Sequence, residues 1–162
     1  MAEASRRTKN TARVPIRLKL ASKFSSLAAV CAFVEGACKS LVPKLQADEI
    51  QNIQLAVNEA CANIIRHAYD NDNEKVFWLS ADLEGGFLVF TTIDRGKTAE
   101  GLFSQSRQPS HASSEPAEHG YGIMLMKKVL DDIQYFYDEK RGNVLLMKKS
   151  VSSTGAPEEK AK

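Results

Sequence analysis

The sequence has no apolar run near the roughly 20 residues that a bilayer-spanning helix requires, and its first ten residues lack the apolar stretch of a signal peptide. No membrane association is expected, and the expected location is cytoplasmic. Charge of one sign is also scarce. Twenty-two Lys and Arg stand against 20 Asp and Glu, a formal net charge of +2, so no strong field exists for a nucleic acid or an anionic surface. Cysteine is sparse: Cys31, Cys38 and Cys61 form no Cys-x-x-Cys pair and fall in stretches that read as helix. They point to buried free thiols rather than to a metal site or a disulfide. What the chain does have is apolar content, 43% of 162 residues, enough for the core of one domain.

Residues 1–12 are polar and basic and residues 151–162 are a polar, low-complexity tail, so both ends are expected to be disordered around a domain spanning residues 13–150. Val14 to Leu20 alternates apolar and basic residues, the pattern of a half-buried strand, and Ser22 could cap the helix that follows. That helix is expected from about Lys23 to Val42, before Pro43, and a longer one from about Asp48 to Tyr69. Two strands, Lys75 to Leu83 and Gly86 to Asp94, form a hairpin around Glu84-Gly85-Gly86. Residues 97–119 read as a flexible lid, because an unpatterned loop of that length is uncommon inside a compact domain. A third helix is expected from Tyr121 to Asp131, then strands Ile133 to Asp138 and Asn143 to Lys149. Strands in runs with helices segregated between them predict a two-layer α/β sandwich, its sheet mainly antiparallel with helices on one face.

The second helix has two chemical faces. At about 100° per residue, Ile50, Ile53, Val57, Ala60, Ile64 and Ala68 cluster on one side. Asn52, Glu59, Asn63, Arg66 and Asp70 gather on the other, with His67 at their edge. A solvated face is the plain reading of such a stripe. A carboxylate, a carboxamide, a guanidinium and an imidazole together are more diverse than solubility needs, and a carboxamide oxygen is a hard, neutral ligand suited to Mg²⁺.

Two glycine elements follow. The second hairpin strand ends in Asp94-Arg95-Gly96, whose plain reading is a turn; the functional one is a carboxylate that accepts a hydrogen bond from an exocyclic amine such as adenine's, with Gly96 admitting the ring. After the lid, Gly120-Tyr121-Gly122 opens the third helix, where exposed amides and the positive end of the dipole suit a phosphate.

The run Asn58-Glu59-Ala60-Cys61-Ala62-Asn63-Ile64-Ile65-Arg66-His67-Ala68-Tyr69 resembles the N box of the GHKL ATPase superfamily, and most closely its anti-sigma-factor serine/threonine kinase branch. Ile93-Asp94-Arg95-Gly96 resembles the adenine box, and Gly120-Tyr121-Gly122-Ile123-Met124-Leu125 the last box. The resemblance implies the Bergerat ATP-binding sandwich. It implies that Asn63 coordinates Mg²⁺ on ATP, that Asp94 and Gly96 hold adenine, and that Gly120, Tyr121 and Gly122 shape the phosphate end. Arg66 and His67 join the nucleotide set, and Glu59 is the implied general base for a Ser/Thr hydroxyl. Departures are Lys97-Thr98, where a second glycine is common, and Glu118-His119, where some members carry an arginine; Lys97, Arg107 or His119 could supply the missing phosphate contact.

The expected function is an ATP-dependent protein serine/threonine kinase that sequesters a sigma factor and phosphorylates a small antagonist protein, acting as a homodimer. The alternative is an ATP-binding partner switch without catalysis. A histidine kinase's catalytic half is a third reading, for which no phospho-acceptor helix pair precedes the domain.

Overall fold

The computed structural model describes residues 14–98 and 118–151; the expected disordered ends and most of the expected lid lie outside them. The elements run β1 (Ile16–Ala21), a 3-10 turn (Phe24–Ser26), α1 (Leu27–Leu41), α2 (Ala47–Asn63), a π turn (Ile64–Ala68), β2 (Val76–Glu84), β3 (Phe87–Asp94), α3 (Glu118–Val129), β4 (Asp132–Asp138) and β5 (Gly142–Ser150). One five-stranded sheet has the order β1-β2-β3-β5-β4, every neighbouring pair antiparallel. The predicted sandwich and its order of elements are present.

Strand periodicity divides the sheet. Leu20, Phe77, Leu79, Ala81, Leu88, Phe90, Leu145 and Met147 join one core with Val30, Val34, Ile53, Val57, Ala60 and Met126 of the helices. Burying side chains of this size is worth about 1.5–3 kcal/mol each, so this shared layer fixes the helices on one face. Gly85 and Gly86 both have positive φ, as the tightest hairpin turn requires.

Several local expectations change. Ser22 does not cap a helix: its backbone N–H donates to Lys75 O at 2.9 Å, and its buried hydroxyl finds no partner among the described residues. The first helix opens instead with the short 3-10 turn. That turn and α1 together, Phe24–Leu41, are long and apolar enough by composition to cross a membrane. Here, Val30, Val34, Ala37 and Cys38 are instead buried in the core, and α1 packs along α2. The amide of Gln46 donates to Glu49 Oε2 at 3.1 Å at the start of α2, with Asp48 and Glu49 in the first turn favoured by the helix dipole.

The α-helix expected to reach Tyr69 stops at Asn63 and widens into the π turn, with Tyr69 N–H donating to Ile64 O at 3.0 Å. Each residue of a wider turn advances by less than 100°, so Ala68 comes to the margin of the core, half-buried but still packed against it. Asp70 and Asn71 then reverse the chain at positive φ, a conformation their side chains tolerate better than most. Cys38 and Cys61 are buried free thiols and Cys31 is half-buried. Burial pushes the Cys38 thiol up to about 11, so it stays protonated and inert.

Candidate nucleotide site

The residues singled out from the sequence fall into two neighbouring groups joined by the π turn. In the first, α2 carries Glu59 and Asn63 one turn apart on the same face, both half-buried. The π turn brings the Arg66 guanidinium to 3.6 Å from Glu59 Oε1. Both side chains are partly exposed, so this pair adds little to stability. Its effect is to place a cation against the carboxylate. Phe24 supports that cation from the other side, with its ring centre 5.5 Å from the guanidinium carbon.

Helix α3 closes over the same carboxylate. It begins at Glu118 rather than at Tyr121, so Gly120 lies in its first turn, where amides have no partner within the helix. Gly122 is buried against Glu59: a Cβ there would stand 2.2 Å from Glu59 Oε1 and 2.4 Å from its Cγ. The glycine therefore admits the Glu59 side chain, whereas the sequence suggested only a role toward phosphate. Tyr121 beside it is exposed.

The second group is built mostly from backbone. Asp94 ends β3 inside the sandwich, 5% exposed. Its Oδ1 accepts hydrogen bonds from Gly96 N–H at 2.8 Å and from Asn143 Nδ2 at 2.9 Å, and Oδ2 accepts none among the described residues. Burial raises the Asp94 carboxyl above its ordinary value, and these two donors oppose the rise. Asn143 Nδ2 also faces Gly96 O at 3.1 Å and Lys97 O at 3.3 Å. Lys97 N–H donates to Ala68 O at 2.8 Å, and a Cβ on Gly96 would meet that same carbonyl oxygen at 2.3 Å. Only glycine lets the Asp94 loop lie this close to the π turn. Tyr69 completes the brace: its hydroxyl accepts from Arg95 N–H at 2.9 Å and donates to Val76 O at 2.7 Å.

Sequence reasoning passed over Asn143, Phe24 and the π turn as site elements. An asparagine at the head of the apolar run Val144 to Met147 was the available signal for the first, since a polar residue at a core register position needs a buried partner. No local pattern marks Phe24. Among the suggested substitutes for a phosphate-contacting arginine, Lys97 is ion-paired with Asp70 at the exit of the π turn. Arg107 lies outside the described residues.

Some chemistry follows from this arrangement. A buried carboxylate with one oxygen unpartnered among the described residues, a cradle that any Cβ would fill, and a helix whose first turns pack a glycine on the Glu59 carboxylate fit a nucleotide-binding α/β sandwich of the kinase and ATPase type. Residues 20–149 match the family model of the histidine kinase-like ATPase domain, and the chain belongs to that family.

Relatives sharpen the placement. An anti-sigma F factor of Anoxybacillus flavithermus is 27% identical over 144 residues, 87% of this chain and 98% of that protein. The serine-protein kinase RsbW of Bacillus cereus is 33% identical over 111 residues, 64% of this chain and 66% of that protein. A crystal structure of the RsbU and RsbW domains of a Mycobacterium tuberculosis protein superposes with a TM-score of 0.58 at 16% identity. It covers 86% of this chain and 33% of that one. The histidine kinase domain of a blue-light activated kinase from Erythrobacter litoralis gives 0.50 at 12% identity, over 83% and 63%. These two likenesses establish the fold alone.

Proposed function

We propose that the chain is an ATP-dependent serine/threonine protein kinase that acts as an anti-sigma factor, sequestering a sigma factor and phosphorylating a small antagonist protein in the cytoplasm. The names carried by its relatives support the pathway. The observation that carries the catalytic reading is Glu59, half-buried, one helical turn from Asn63 and held between Arg66 and Gly122.

In this reading Asp94 Oδ2 accepts a hydrogen bond from the adenine amine while Oδ1 stays tied to Gly96 and Asn143. Gly96 gives the ring room, and Gly120 and Tyr121 offer helix amides to the triphosphate. His67 borders the nucleotide from the π turn. No cluster of three or more His, Cys, Asp or Glu able to hold a metal exists among the described residues. Mg²⁺ commonly reaches a protein through one or two oxygen donors plus substrate phosphates, and Asn63 would be that donor. When bound, the ion offsets charge on the triphosphate.

The acceptor serine or threonine oxygen forms a bond to the γ-phosphorus as its proton passes to Glu59. The bond from that phosphorus to the β–γ bridging oxygen breaks, and its electron pair leaves with ADP. Arg66, 3.6 Å from Glu59 Oε1, orients that carboxylate before transfer.

The test is transfer of label from γ-labelled ATP to the antagonist encoded beside the sigma factor. Glu59→Ala is expected to lose about 10²–10⁴-fold in transfer rate with ATP affinity kept within about twofold. Asn63→Ala is expected to lose Mg²⁺-dependent ATP binding. Undiminished transfer by Glu59→Ala would remove the base from the reading. Tight ATP binding without any transfer by the wild type would leave a partner switch that does no chemistry.

A further inference from the structure

Among the described residues, three buried side-chain atoms have no hydrogen-bond partner: Ser22 Oγ, Asn58 Oδ1 and Asn143 Oδ1. An unsatisfied buried acceptor is costly, and a fold that keeps one beside a binding site has a use for it there. Ser22 follows β1 and Asn58 lies in α2, whereas Asn143 is bonded to the Asp94 loop itself. It is 2% exposed and stands directly opposite Asp94 in the register of β3 and β5. Its donor end fixes its orientation. Nδ2 faces Asp94 Oδ1, Gly96 O and Lys97 O at 2.9, 3.1 and 3.3 Å. Reversing the carboxamide would turn its oxygen on all three acceptors, so Oδ1 is held away from them, able only to accept.

Asp94 Oδ2 accepts no hydrogen bond among the described residues either. Two cross-strand neighbours therefore each carry one unpartnered oxygen. Residues directly opposite on antiparallel strands have Cβ atoms about 4.5–5.5 Å apart. The two N–H bonds of an exocyclic amine diverge by about 120°, so acceptors about 2.9 Å from its nitrogen stand about 5 Å from each other. A carboxylate and a carboxamide on paired strands suit that spacing. A 6-oxo purine brings an oxygen to the same place, where two acceptors would meet an atom with no hydrogen to give.

We propose that Asn143 reads the base: its Oδ1 accepts one hydrogen of the adenine amine while Asp94 Oδ2 accepts the other, and it sets a preference for 6-amino over 6-oxo purines. This rests on the reading of Asp94 as the adenine seat and adds a second acceptor to it. It is independent of whether Glu59 is a base. One planar group then does two things. Its donor end fastens the Asp94 loop and its acceptor end meets the ligand, so the position of the loop and the position of the base are set together.

Calorimetry on the full chain with Mg²⁺ and three triphosphates tests it: ATP, its analogue with one methyl on the amine, which keeps one hydrogen, and purine riboside triphosphate, which has no amine. The wild type is expected to bind the methylated analogue about tenfold more weakly than ATP, and purine riboside triphosphate about 100-fold more weakly. Asn143→Ala is expected to bind ATP about tenfold more weakly than the wild type does, to treat ATP and the methylated analogue alike within about twofold, and to lose only about tenfold when the amine is removed. A brace that never touches the base would weaken all three nucleotides by one factor and leave their ratios unchanged, and that result overturns the proposal. So does a wild type that binds the methylated analogue as tightly as ATP, a measurement that stays decisive should Asn143→Ala fail to fold. A wild type with equal affinity for ATP and purine riboside triphosphate would overturn the adenine reading of Asp94 as well, which separates that failure from one at Asn143 alone.

Discussion

The two ends of the nucleotide site are built differently. The Asp94 end is buried and held by backbone: Gly96 N–H, Ala68 O, Lys97 N–H and Arg95 N–H all take part, with Asn143 and Tyr69 as side-chain braces. The Glu59 end is half-exposed and held by side chains, one ion pair and one cation–π contact over a glycine. Backbone contacts inside a packed core cannot drift far, whereas exposed side-chain contacts of about 1 kcal/mol or less rearrange readily. In the proposed reading, the difference separates a rigid adenine seat from an adjustable transfer site. Nucleotide binding is then expected to tolerate little change at the first, and phosphate transfer to vary gradually with change at the second.

The contrast can be broken most severely at Asp94. Asp94→Asn keeps an oxygen for Gly96 and Asn143, but the added amide opposes the adenine amine. ATP affinity is expected to fall about 100-fold by calorimetry, near the 1.5–3 kcal/mol of a charged hydrogen bond. The free domain behaves oppositely. The Asp94 carboxyl is raised on folding, so the native state binds more protons than the unfolded one between the ordinary and the raised value. Its contribution is full below that window and declines as pH rises through it. Asp94→Asn removes this decline, and its melting temperature at pH 7 is expected to equal or exceed that of the wild type.

Asn143→Ala comes next. It leaves Asp94 Oδ1 and the carbonyls of Gly96 and Lys97 without their shared donor. An unsatisfied buried group costs about 1–3 kcal/mol, and urea unfolding is expected to show a loss in that range together with weaker ATP binding. At the other end, Gly122→Ala drives a methyl into the Glu59 carboxylate, which can swing aside because it is a side chain. Transfer is expected to fall about tenfold, 1.4 kcal/mol in barrier, with ATP affinity nearly unchanged. Phe24→Leu gives the smallest effect, a loss of about threefold in transfer, in line with the 0.5–1 kcal/mol of an exposed cation–π contact. Phe24→Trp is expected to restore it, and the loss is expected to vanish in an Arg66→Gln background. A Phe24→Leu defect that appears in ATP affinity instead would erase the distinction between the two ends.

How much of this the sequence contained follows from the range of each interaction. The sandwich was legible because strand alternation and helix periodicity are local: Phe77, Leu79 and Ala81 announce a buried face without reference to any other segment. Glu59, Asn63, Asp94 and Gly96 were legible as candidates because residue type and spacing carried them. The brace by Asn143 depends on a strand register spanning 49 positions, which no window sees. The π turn was missed because a uniform 100° per residue was carried past Asn63, and the sequence Ile64 to Ala68 offers no proline or glycine to signal the change. Gly122 was seen as a phosphate residue because glycine before a helix has that use, while its approach to Glu59 needs α2 and α3 already packed.

The π turn has a consequence for how the domain can vary. Helix α2 and the sheet are two rigid scales with different repeats, and Ile64–Ala68 lets one slide against the other until Ala68 O meets Lys97 N–H and Gly96. It acts as a one-residue vernier. Removing a single residue between Asn63 and Tyr69 would give a regular helix of sound local geometry while dephasing the two halves of the site. Insertions and deletions should therefore be harsher here than in the turns between strands, even where they leave Arg66 and His67 in place.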